Sequence, residues 1–268
     1  MLNPIEGEIF HIDKPPGATS FAVVKRVRGV LRSRLGVKTV KVGHAGTLDP
    51  LATGVLTIVT GHKTKLIEQL QAGVKEYIAH VKLGETTPSY DMETDVDATF
   101  EWSHITREMI DRVLAERFTG EISQVPPSFS ACKVGGKPAY KLARKGNDVA
   151  LSAKTLVIDE IEVMECGLPA EPTLTLRIVC SKGTYIRALA RDIGEALLSG
   201  AHLTALRRTR VGDTTVEHCE TLDDLCARLA IAPMVDPDTA EAERLERERI
   251  ANRERAKQQK QARHKRDR

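Results

Sequence analysis

Aromatic residues make up only 4% of the 268-residue sequence, and no apolar run approaches the roughly 20 residues needed to cross a bilayer. The start, MLNPIEGEIFHIDKPPG, lacks the basic flank, apolar block and small-residue cleavage site of a secretory signal, so the expected compartment is the cytoplasm. Five cysteines, Cys132, Cys166, Cys180, Cys219 and Cys226, form no C-x-x-C pair and are odd in number, which argues against a disulfide framework or a zinc cluster. A phosphate-binding loop is absent too, because in GVLTIVTGHKT the residue after Gly61 is His62 and not lysine. His44, Asp49 and His62 share no metal-ligand spacing, and neither a nucleophile elbow nor a Cys–His pair is present. No internal repeat of useful period is visible.

Acidic residues are missing from one long stretch. Between Lys14 and Leu48 stand Lys14, Lys25, Arg26, Arg28, Arg32, Arg34, Lys38 and Lys41, with no Asp or Glu. The net charge of +3 hides this, since residues 237–268 hold 11 of the 40 basic and 7 of the 37 acidic residues and leave the rest near neutral. Local clustering therefore decides what partner fits. The segment suits a polyanion, or alternatively forms a solvated helix face.

The apolar fraction of 41% and the length suffice for one large core. Val23, Val24, Val27, Val30, Leu31 and Leu35 recur at helical spacing behind a Thr19 or Ser20 cap. VLTIVTG reads as a buried strand, KLIEQLQAG as a short helix and EYIAHVKLG as a strand with alternating faces. ITREMIDRVLAERF predicts a helix capped by Thr106, TLVIDEIEVMEC and TLTLRIVC predict neighbouring strands, and a helix capped by Thr184 begins within SKGTYIRALARDIGEALLSGAHL. HLTALRRTRVGDTTVE reads as a strand pair or an extended segment, and TLDDLCARL as a short helix boxed by Thr221 and Asp224. Past PMVDPDT large apolar residues nearly vanish, so residues 237–268 read as a solvated helix or tail without a core.

The segment KVGHAGTLDPLATGVLTIVTG bends the chain around a single acid, Asp49. With phosphate-loop, metal and Ser or Cys chemistry set aside, a directly used carboxylate remains, as nucleophile or base beside an arginine, and SKGTYIR offers Arg187. Composition and spacing leave this loop open to a turn-forming role as well.

GHAGTLDPLATGVL resembles the catalytic loop of the TruB family of tRNA pseudouridine synthases. KEYIAHVKLG, VPPSFSACKVGGKPAYKLARKG, CSKGTYIRALARDIGEAL and LTALRRTRVG extend the resemblance, in order, from about residue 8 to 225. It implies an α/β (α+β) fold with a large, mixed, mostly antiparallel central sheet flanked by helices. A basic thumb-like insertion over 124–150 grips RNA within a catalytic domain of residues 1–236, and the charged tail 237–268 stands where many bacterial members carry a PUA domain. The implied activity is isomerisation of the T-loop uridine at position 55 of tRNA after base flipping. Asp49 is then the nucleophile, Tyr77 stacks on the base, and Arg187 pairs with Asp49. His44 packs against displaced nucleotides, Tyr185 lines the pocket, and Lys65 and Leu206 border it. Asp91, in ETTPSYDMETD, receives no role. No metal or cofactor is implied, and the expected partner is the tRNA T-arm stem-loop, met by a monomer without a membrane or an obligatory protein partner. A guide-dependent pseudouridine synthase of H/ACA type and a non-catalytic tRNA-binding module are the alternatives.

Overall fold

The computed structural model describes residues 1–130, 132–134, 136–143 and 151–266. From the N-terminus, β1 (Ile9–Lys14) passes through a Pro16–Gly17 turn into α1 (Ser20–Leu35), then β2 (Val42–Ala45), the Asp49 loop and β3 (Thr53–Thr60). A 3-10 turn (Gly61–Leu66), α2 (Ile67–Leu70) and β4 (Lys75–Leu83) follow. The hairpin of β5 (Glu85–Thr86) and β6 (Ala98–Thr99) precedes α3 (Arg107–Arg117) and β7 (Gly120–Gln124). Within the basic insertion β8 (Lys133–Val134) pairs with β9 (Lys137–Pro138) ahead of α4 (Ala139–Ala143), while Arg144 and Lys145 lie outside the described residues. The chain continues through β10 (Lys154–Cys166), β11 (Thr173–Cys180), α5 (Ile186–Ala196) and β12 (Ala201–Val211). It closes with β13 (Thr214–Thr215), β14 (Glu220–Thr221), α6 (Leu222–Ile231) and α7 (Pro237–Arg266).

One ten-stranded sheet organises the molecule, in the order β14-β1-β3-β12-β4-β11-β10-β7, with β2 on β3 and β13 on β12. Only β1–β14 and β3–β12 pair in parallel; every other neighbour in this sheet is antiparallel. Seven of the eight residues of β3 are buried, which explains its unbroken apolar run, whereas β4 alternates between buried and partly open positions. Val23, Val24, Val27 and Leu31 of α1 and Ile186, Leu189 and Ile193 of α5 join the core formed by the strands. Each such side chain contributes roughly 1.5–3 kcal/mol when fully buried.

Local signals place the helix ends. Thr19 caps α1 by accepting from the Ala22 amide at 3.0 Å, and Gly36 stops it in the left-handed conformation at φ 66°. Thr106 and Thr221 cap α3 and α6 as their spacing predicts. Two expectations are corrected. Thr184 does not cap α5: its hydroxyl donates to the Ser181 carbonyl at 3.0 Å, and Tyr185 is the capping residue, whose side chain makes no bond to the helix amides. Of KLIEQLQAG only Ile67–Leu70 is α-helical, because Gly61–Leu66 is wound as a 3-10 turn.

Candidate active site

The Asp49 loop hangs between β2 and β3, and buried cations and a serine hold its backbone. Arg208 of β12 is 2% exposed and donates through Nη2 to Gly46 O at 3.1 Å, through Nη1 to Thr47 O at 3.4 Å and through Nε to Val55 O at 2.9 Å. Ser20 Oγ both accepts from the Leu48 amide and donates to its carbonyl, at 2.9 Å each. Lys14 Nζ donates to Pro50 O at 3.1 Å, and also to Pro15 O and Ala18 O. Four backbone positions of the loop, at 46, 47, 48 and 50, are thereby fixed on either side of Asp49 in the chain. Glycine is required where the loop rejoins the sheet: Gly54 has φ +103°, and a Cβ there would collide with the Arg208 backbone.

Lys14 departs from the phosphate-facing role suggested by the basic stretch. Its ammonium is fully buried and spent on three carbonyls. Burial pulls its pKa down to about 8, against the field of Asp49, which acts in the opposite direction.

Asp49 projects from this loop into a cleft of about 270 Å³ lined by Asp91, Met92, Arg187, Leu203 and Leu206 among others. Its Oδ2 accepts from Arg187 Nε at 2.9 Å, with the arginine 4% and the carboxylate 36% exposed. The first turn of α5 supplies Arg187, and Gln124 of β7 secures that turn by accepting from the Tyr185 amide at 2.9 Å and donating to its carbonyl at 3.2 Å. The two Nη atoms are equally committed, to Ser89 O and Phe129 O at 2.9 Å. A second carboxylate, Asp91, lies 3.6 Å from Arg187 Nε through its Oδ2. One buried guanidinium is thus shared between two acids and two carbonyls, leaving one face of Asp49 open to the cleft.

The remaining candidates divide. Tyr77, on β4 opposite Arg208 of β12, is 8% exposed; burial raises its phenol pKa, the Arg208 charge works against that, and Asp49 adds to the rise. Leu206 lines the cleft beside Asp49. Tyr185 stands at the start of α5 with its hydroxyl 3.3 Å from Cys132 Sγ of the insertion, and burial again raises its pKa. His44 sits on β2 opposite Ile58, with its Nδ1 buried and unpaired; burial first and then Arg208 lower its pKa, so the ring is neutral at pH 7. Lys65 is not brought to the cleft: it is exposed in the 3-10 turn beyond the far end of β3.

Residues 32–186 match the N-terminal domain of TruB family pseudouridylate synthases, and residues 187–252 the C-terminal domain of tRNA pseudouridylate synthase B. The tRNA pseudouridine synthase B of Phocaeicola vulgatus is 61% identical over 222 residues, 83% of this chain and 93% of that protein. The chain belongs to the TruB family. A second relative of the same name, from Mycobacterium bovis, is 47% identical over 84% of this chain and 74% of its own length. Among solved structures, a chain of a Cbf5-Nop10-Gar1 complex aligns with TM-score 0.60 at 31% identity, covering 84% of this chain and 55% of that one. Family membership gives the Arg187-bound Asp49 carboxylate its chemical context. Two residues that the sequence reading left without a role, Asp91 and Arg208, touch this machinery directly. Their signal was present only as an acid in a polar loop and one arginine among several in LRRTR.

Proposed function

We propose that this chain isomerises the T-loop uridine at position 55 of tRNA to pseudouridine, with Asp49 as nucleophile, in the cytoplasm and as a monomer. Relatives up to 61% identical carry the name tRNA pseudouridine synthase B, and the chain is a pseudouridine synthase of that kind. The observation that carries the reading is the Asp49–Arg187 pair at the cleft, a carboxylate oriented by a buried cation on a loop fixed at four backbone positions.

In the reaction the bond from C1′ to N1 breaks and a bond from C1′ to C5 forms; N1 gains a proton and C5 loses one, so the sum is an isomerisation. A stacked uridine exposes neither C1′ nor C6, so the nucleotide must first be extruded, at a cost of roughly a few kcal/mol. Stacking on the Tyr77 ring returns roughly 1–3 kcal/mol of it. Arg187 keeps the carboxylate aligned while the ring turns, and Leu206 closes the apolar wall of the cleft. Tyr185 lines its entrance, His44 presents a neutral ring to the displaced nucleotides, and Lys65 is placed to meet the RNA backbone outside the cleft.

The test is an unmodified tRNA transcript incubated with purified protein alone, followed by mapping of the isomerised positions. Pseudouridine at the single T-loop position is the expected result. A requirement for a guide RNA or protein partners would replace this reading with the guide-dependent one.

A further inference from the structure

A second concave surface lies away from the Asp49 cleft. Arg28 and Arg32 of α1, Lys38, Lys41, the backbone of β2 at Val42 and Gly43, and Thr64 and Ile67 line a groove of about 860 Å³. Its lining has four cations and no carboxylate. Arg28 is held in place by donating through Nη2 to Val42 O at 2.7 Å, so one wall is set before any ligand arrives. Arg32, Lys38 and Lys41 are exposed and, among the described residues, have no carboxylate against them. Elsewhere on the same helix Arg26 is neutralised by Asp223 at 2.5 Å, and Arg34 points to the Ala232 carbonyl.

The groove and the cleft are joined by rigid elements. Helix α1 begins at Ser20, which holds the Asp49 loop, and at 1.5 Å per residue Arg28 and Arg32 stand about 12 and 18 Å along it. Strand β3 gives a similar span: Val42 pairs with Thr60, about 20 Å from Gly54, where the loop rejoins the sheet. An RNA with one nucleotide at Asp49 has further phosphates at that separation.

We infer that this groove is a second docking site for the phosphodiester backbone of the substrate tRNA, roughly 12–20 Å from the reacting uridine. The inference rests on the tRNA reading above. One anchored and three exposed cations, with no acid in the lining, meet the dense negative charge of RNA, and binding there releases counterions. The groove supplies affinity and orientation, and the chemical step stays at Asp49.

The test compares the double variant Arg32→Gln/Lys38→Gln with Lys25→Gln/Arg34→Gln, which removes two charges of α1 that lie outside the groove. Anisotropy with an unmodified tRNA transcript is expected to show roughly tenfold weaker binding for the groove variant, and a log Kd against log salt slope smaller by about 1–2. Turnover at saturating tRNA stays at the wild-type value. The second variant is expected to bind within about twofold of wild type, as peripheral exposed charges do. Equal losses in both variants, or none in either, would overturn the proposal; the latter would leave the groove to an acidic protein partner. Because binding is read apart from turnover, wild-type protein that binds tRNA without converting it would refute the proposed function and not the groove.

Discussion

Arg187 carries four acceptors on one buried guanidinium, so its geometry cannot be reproduced by an ammonium. Arg187→Lys keeps a charge near Asp49 but loses the fork that also ties Ser89 and Phe129. Turnover is expected to fall by roughly a hundredfold or more with tRNA affinity little changed, a split read by single-turnover rates beside binding. At Tyr77 the prediction is spectroscopic. Burial raises the pKa of Tyr77 and Tyr185, so both phenols stay more protonated than an open tyrosine when the folded protein is titrated to pH 10, and Tyr77→Phe leaves most of the tyrosinate absorbance there in place. A loss of native tyrosinate signal in Tyr77→Phe would show an ordinary, open phenol. Asp49 was legible because its loop carries a dense local pattern of Gly and Pro. Asp91 was not, because its partner lies far along the chain and nothing in ETTPSYDMETD encodes that meeting.

The loop between β2 and β3 is positioned by other elements, and its stability should reveal that. Arg208→Gln leaves buried carbonyls at Gly46, Thr47 and Val55 short of donors, each costing roughly 1–3 kcal/mol. A clear drop in Tm together with a lower rate is expected, and an unchanged Tm would show that the loop holds itself. Lys14 adds a pH signature. With its folded pKa near 8 and its unfolded value near 10.5, the unfolded chain binds the extra proton between them, so this residue's contribution to stability rises with pH across that window and is lost as pH falls through 8. Burial also lowers Lys75 to about 8, while it raises Cys180 and Cys219 to about 11 and so acts with the opposite sign; the change in denaturant midpoint from pH 8 to 10 should therefore be less positive in Lys14→Met than in wild type. The strands and most helices were readable from periodicity and caps, since β3 and β4 differ in pattern as they differ in burial. The Thr184 cap misled because a tight SKGT turn took its hydroxyl first.

Across the whole molecule a single sheet links residues at both ends of the first 236, and α7 extends from it. Among the described residues, the contacts of α7 with the body lie early in it: Ala240 is 1% exposed, and Arg247 pairs with Glu6 at 3.0 Å. Removing residues 253–268 should therefore leave Tm within about 1–2 °C, whereas a much larger drop would show that the tail packs on the body. Composition marked this tail as coreless; its helical course over Pro237–Arg266 was one of two readings it allowed. The central claim is chemical, and loss of the C5 hydrogen reports it most directly. A tRNA transcript tritiated at uridine C5 should release tritium to water with wild-type protein alone and release none above background with Asp49→Asn, although both bind the transcript equally. Release by Asp49→Asn within about tenfold of the wild-type rate would contradict a nucleophilic Asp49.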